Sequence, residues 1–140
     1  MVAYSDMSKC KTGIVGAAIL IDEDMFVDYT LERMPGIDNT YQGELLAITL
    51  AMKLVNDNFD TPQRVVIYSD CLAVVKKGIE CIRYHKVSNK WAFHEDWERF
   101  LKFCGNHSVK LRYVRAHKTT RSLNMICDYA TRIIAKSEEA

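Results

Sequence analysis

The sequence predicts an α/β domain in which helices cover a mixed β-sheet. Three observations carry this. The first third reads as three consecutive strands joined by short connections. Beyond it, segments of helical period alternate with short strand-like runs. Apolar residues make up 49% of the 140 residues and charged residues 26%, the composition of a globular domain. The length suits a single domain over residues 1–140. A chain of this size buries about two thirds of its unfolded surface, so it folds without a metal or a disulfide.

The first strand runs from Val2 to Ser8. Gly13 to Ile21 is a second strand, its nearly continuous apolar character suggesting burial on both faces. Asp22-Glu23-Asp24 makes a turn, and Met25 to Glu32 is the third strand of an antiparallel meander. Pro35-Gly36 and Asp38-Asn39-Thr40 break the pattern, with Asn39 or Thr40 as a helix N-cap. From Tyr41, apolar residues recur at Leu45, Ile48, Met52 and Val55, the spacing of a helix. Leu46, Leu50 and Leu54 lie on its other side, so something besides the sheet must cover this helix. Arg64 to Ser69 is a short buried strand, with a helix over Asp70 to Ile79 directly after it. Trp91 to Cys104 is a helix with Trp97, Phe100, Leu101 and Cys104 on one face. Val109, Leu111 and Tyr113 alternate with Lys110 and Arg112 as a strand with one wet face. A last helix spans Ser122 to Lys136, its stripe formed by Leu123, Ile126, Cys127, Ala130, Ile133 and Ile134.

Nineteen basic and 18 acidic residues leave a net charge of +1. Bulk charge therefore neither favours nor disfavours a nucleic-acid partner. The longest apolar run, Ile14 to Ile21 broken at Gly16, is far short of the roughly 20 residues of a bilayer span, and no membrane association is expected. The start of the chain has no basic-then-apolar leader pattern. Five cysteines without a Cys-x-x-Cys pair argue against a zinc or disulfide framework and read as small core hydrophobes. A reducing, cytoplasmic location is expected, with nucleus or virion left open.

Carboxylates break the local rules at three places. Asp6 sits on the first strand after Val2, Ala3 and Tyr4. Asp70 closes a buried strand, at the kind of strand end where ligands bind in α/β sheets; its plainer role is to cap the next helix. Glu44 is the sharper anomaly. At about 100° per residue it falls about 40° from Ile48, inside the apolar arc. A lone carboxylate there must reach water at the edge of the arc, take up a proton, or share a cation with other carboxylates. Asp128 lies opposite the apolar stripe of the last helix, on a polar face with Asn124. His117 sits in the polar loop before that helix, where simple exposure is the plain reading.

The combination resembles type 1 ribonuclease H. The resemblance rests on Tyr4-Ser5-Asp6-Met7-Ser8, Gly43-Glu44-Leu45-Leu46-Ala47, Tyr68-Ser69-Asp70, Val114-Arg115-Ala116-His117 and Asn124-Met125-Ile126-Cys127-Asp128, and it spans essentially the whole chain. It implies a ribonuclease H-like fold whose five-stranded mixed sheet has order 3-2-1-4-5. It implies that Asp6, Glu44, Asp70 and Asp128 are metal-binding carboxylates, and that His117 assists proton transfer or product departure. Ser8, Thr40, Gln42 and Asn124 fall where family members meet the substrate. Lys76, Lys77, Lys86 and Lys90, with aromatic residues interleaved, form a basic run that is either a substrate-facing surface or simply a solvated face. Met7 stands where a glycine is usual, Thr40 and Tyr41 stand where asparagines are common, and Thr119 replaces a glycine after the histidine.

The activity so implied is endonucleolytic hydrolysis of the RNA strand of RNA–DNA hybrids, leaving 5′-phosphate and 3′-hydroxyl ends. Two Mg²⁺ ions, or Mn²⁺ in their place, would be bridged by Asp6, with Glu44 and Asp70 on one and Asp128 on the other. A monomer with no obligatory protein partner is expected. The alternatives are a junction resolvase-like nuclease of the same fold and a non-catalytic hybrid-binding module.

Overall fold

A computed structural model describes residues 1–115. Its elements are β1 (Val2–Lys9), β2 (Gly13–Asp22), β3 (Met25–Pro35), α1 (Thr40–Asn58), β4 (Arg64–Ser69), α2 (Leu72–Tyr84), α3 (His94–Cys104) and β5 (Ser108–Tyr113). The strands form one sheet of order β3-β2-β1-β4-β5. The β1–β2 and β2–β3 pairs are antiparallel, while β1–β4 and β4–β5 are parallel. Both the meander and the mixed sheet read from the sequence are present. The helix expected over Ser122 to Lys136 lies outside the described residues.

Helix α1 starts where the punctuation placed it. Asn39 is the N-cap, its side-chain oxygen accepting from the Gln42 backbone N–H at 3.0 Å, which satisfies one of the first-turn donors. Leu45, Ile48, Met52 and Val55 are completely buried, and Leu50 and Leu54 nearly so. Covering on two sides explains this: α1 packs on β1 and β2 and is itself covered by α3. From α3, Trp97 and Phe100 fill the space between the layers. The indole N–H of Trp97 donates to the Tyr41 hydroxyl at 3.2 Å, so the one polar atom of a fully buried tryptophan has its partner.

Three boundaries differ from the sequence reading. Helix α2 begins at Leu72 rather than Asp70 and continues to Tyr84, where His85 enters the left-handed region at φ 50° and ends it. Helix α3 begins at His94 rather than Trp91, because Phe93 at φ 56° is left-handed and outside any helix. Strand β3 extends to Pro35.

Helix α2 approaches β5 through Gly78, where an added Cβ would overlap Leu111 Cδ1 and lie 3.5 Å from Trp97 Cζ3. Replacing Gly78 by alanine is therefore expected to lower stability by about 1–3 kcal/mol through overpacking. This outweighs the gain of about 1 kcal/mol that alanine brings to a helix interior. A shift of the urea midpoint measures it.

Candidate active site

The parallel register of β1 and β4 pairs Val2 with Val66, Ala3 with Ile67 and Tyr4 with Tyr68. Carried two residues further, the same register puts Asp6 beside Asp70. Across β1 on the other side, Asp6 pairs with Ala17 of β2. Glu44 comes from the second turn of α1, which descends closely onto the sheet at Gly43. A Cβ there would lie 2.7 Å from Ile14 Cδ1 and 2.8 Å from Met7 Cε. Glycine at this point allows the approach, and Met7 fills the space beneath it.

One strand, one helix and one strand end thus bring three carboxylates together. Ligand oxygens of Asp6, Glu44 and Asp70 all lie within 4.8 Å of one another. Asp6 and Glu44 are buried, with relative exposures of 2% and 5%, and Asp70 is half-buried. Asp6 Oδ1 accepts the Met7 backbone N–H at 2.8 Å. Glu44 Oε2 is buried without a hydrogen-bond partner among the described residues. Burial pushes the Glu44 carboxyl up to about 10, and the charges of Asp70 and then Asp6 push in the same direction; the Ser69 hydroxyl opposes them. A proton or a cation is what such a cluster lacks. The donor set is entirely carboxylate oxygen, which suits a hard divalent cation.

Asp70 does not cap α2. Cys71 is its N-cap, without a side-chain capping bond, so the capping alternative for Asp70 is set aside and its carboxyl belongs to the cluster. His117, Asn124 and Asp128 lie outside the described residues. Ser8 is half-buried near the end of β1, and Thr40 is exposed in the first turn of α1. The Gln42 amide donates to Asp96 Oδ2 at 2.9 Å and ties α1 to α3. Lys76, Lys86 and Lys90 are exposed. Lys77 lies 4.3 Å over the Trp91 ring and donates to Glu80 at 3.4 Å. Exposure of three of the four lysines fits a substrate-facing surface as well as a solvated face. Sequence reasoning passed over Ser69, which is fully buried and whose hydroxyl accepts the Cys71 N–H at 3.2 Å. A serine that ends a buried apolar strand just before a carboxylate was its signal.

The family model for RNase H matches residues 1–136. The chain belongs to the RNase H family. Its similarity to solved structures confirms the fold. The RNase H1 of the archaeon Halobacterium salinarum superposes with a TM-score of 0.70 at 15% identity, covering 91% of each chain. The N-terminal RNase H domain of a Mycobacterium tuberculosis protein, solved as a fusion with maltose-binding protein, gives 0.72 at 11% identity, covering 98% of this chain and 96% of that one. A type 1 RNase H with the type 2 active-site motif gives 0.66 at 16% identity, covering 97% and 72%. Comparison with curated protein sequences gives no match. As a ribonuclease H, the protein is a nuclease: a hydrolase that binds nucleic acid. RNA–DNA hybrids are the substrate class of its family, and a divalent metal is the usual cofactor.

Proposed function

We propose that this ribonuclease H cuts the RNA strand of a hybrid internally with two Mg²⁺ ions, leaving 5′-phosphate and 3′-hydroxyl ends. The observation that carries the reading is the convergence of Asp6, Glu44 and Asp70, with a buried Glu44 oxygen left over for a cation. Asp6, Glu44 and Asp70 would hold the metal, joined by Asp128 as the resemblance implies. Bound divalent ions supply positive charge for the scissile phosphate and make a hydroxide available near neutral pH.

The remaining work falls to the chain itself. Asp6 is held by the Met7 N–H and has little freedom to swing away. Glu44 rides on a helix pinned at both ends of its first turn, by the Asn39 cap and by the Gln42–Asp96 bond. Little reorganisation is then needed when substrate arrives, which is where preorganised sites gain their rate. His117 would assist proton transfer or product departure, as the resemblance implies. Contacts to 2′-hydroxyls on the cut strand distinguish the hybrid from duplex DNA. Because phosphates dominate affinity, binding weakens steeply with salt.

The test is hydrolysis of an end-labelled RNA–DNA hybrid with Mg²⁺, and with EDTA. Cutting of the RNA strand alone, only with metal, and with 5′-phosphate ends is expected. Binding without cutting would leave a hybrid-binding module, and cutting of a four-way DNA junction in preference to the hybrid would make it a different nuclease of this fold.

A further inference from the structure

The hairpin joining β2 and β3 exposes more apolar surface than a turn needs. Met25, Phe26 and Tyr29 are 70%, 60% and 58% exposed, and the Phe26 and Tyr29 rings lie 6.2 Å apart. Of the acidic residues from Asp22 to Glu32, Asp22 lies 3.8 Å from the N-terminal amine, Asp28 accepts from the Asn58 amide at 2.9 Å and Glu32 pairs with Lys53 at 3.2 Å, so the charge of the tip is that of Glu23 and Asp24. Glu23 and Asp24 form the turn itself, both left-handed at φ 49° and 62° and both exposed. A two-residue turn of this kind favours Asn-Gly, so two acidic residues hold a conformation that costs about 1–2 kcal/mol at each non-glycine position. The tip is thus aromatic, acidic and built against local preference. We propose that it is a docking surface for a basic amphipathic segment of a partner protein.

The edge strand shows how such a segment is held. β3 is the outer strand of the sheet, yet it is closed to strand addition at this end. Register shifts where Leu20 faces Asp28 and Ile21 faces Phe26, leaving Val27 as an extra residue, and Asp28 Oδ1 takes the Tyr29 N–H at 2.8 Å. Bulges and capped amides of this kind prevent edge pairing. The grip therefore comes from side chains, with apolar anchors against Phe26 and Tyr29 and cations beside Glu23 and Asp24.

Charge selects the occupant. Nucleic acid and anionic membranes are repelled from a tip of this sign. A second copy would bring the same carboxylates against themselves. A segment with lysines or arginines around leucine-type anchors meets both requirements, since aromatic residues make strong anchors and rim charges speed and select encounter. The proposal stands independently of the cleavage reading, because none of these residues belongs to the carboxylate site.

The test is NMR titration of the ¹⁵N-labelled protein with a synthetic amphipathic helical peptide of leucine and lysine. The matching leucine–glutamate and serine–lysine peptides are the controls. Shifts centred on residues 22–29, with the leucine–lysine peptide only, are expected. Phe26→Ser combined with Tyr29→Ser should weaken binding about tenfold or more and leave hybrid cleavage unchanged. Glu23→Asn combined with Asp24→Gly should raise the unfolding midpoint while weakening binding, a pair of opposite effects that a purely structural turn would not give. The proposal fails if no shift appears at the hairpin, if shifts centre on the carboxylate site, if either control peptide binds equally, if the Phe26 and Tyr29 changes leave affinity unaltered, or if these residues instead mediate concentration-dependent self-association.

Discussion

Replacing Asp70 by asparagine is expected to reduce Mg²⁺-dependent hybrid cleavage by about 10³-fold or more, the scale on which removing one electrostatic stabiliser acts, while making the metal-free protein more stable. Both effects arise from the same geometry. Asp70 lies with Asp6 and Glu44 in one cluster of oxygens that could hold a metal ion, so neutralising it would remove a candidate cation ligand. Its charge also helps hold the Glu44 carboxyl in the protonated form, second only to burial, so neutralising it lowers the cost of keeping Glu44 protonated in the metal-free protein. Activity and stability should therefore move in opposite directions, which loss of folding cannot imitate. Cleavage kinetics with labelled hybrid, and urea unfolding in EDTA, measure the two. Wild-type rates in Asp70→Asn would remove the metal assignment; a large drop in stability would mean that Asp70 holds the fold rather than the cation.

Much of this site was legible because two sequence periods point at it. Glu44 shares an arc with Leu45, Ile48 and Met52, and a carboxylate at that phase is an error unless something neutralises it. Asp6 and Asp70 were legible as polar interruptions of apolar strands. Their adjacency needs the parallel pairing of β1 with β4, which no local pattern encodes, because it closes over the whole of β2, β3 and α1. What stayed hidden is long-range or strained. The bond from Gln42 to Asp96 joins residues 54 apart, a pairing no local pattern encodes. The starts of α2 and α3 were misplaced because Asp70 looks like a cap and because nothing in Trp-Ala-Phe-His announces a left-handed phenylalanine. Propensity speaks for the segment, and tertiary packing of Trp97 and Phe93 beside Tyr41 overrides it.

The pH dependence of stability tests the cluster without any catalysis. Glu44 is raised from an ordinary 4.5 to about 10 in the folded protein. Below about pH 4.5 the group is protonated whether the chain is folded or not, and its burial is then without electrostatic penalty. Between 4.5 and about 10 the unfolded chain releases that proton while the folded one keeps it, so the folded state binds more protons and stability falls as pH rises. One proton limits the slope to about 1.4 kcal/mol per pH unit. Urea unfolding in EDTA at several values between pH 5 and pH 8 should show this decline, and Glu44→Gln should abolish most of it and be more stable than the wild type at pH 8. Added Mg²⁺ should flatten the wild-type decline, because a cation takes the place of the proton, and should have little effect on the slope of Glu44→Gln. An identical slope in both proteins would place the titrating group elsewhere and leave Glu44 as a carboxylate that simply reaches water.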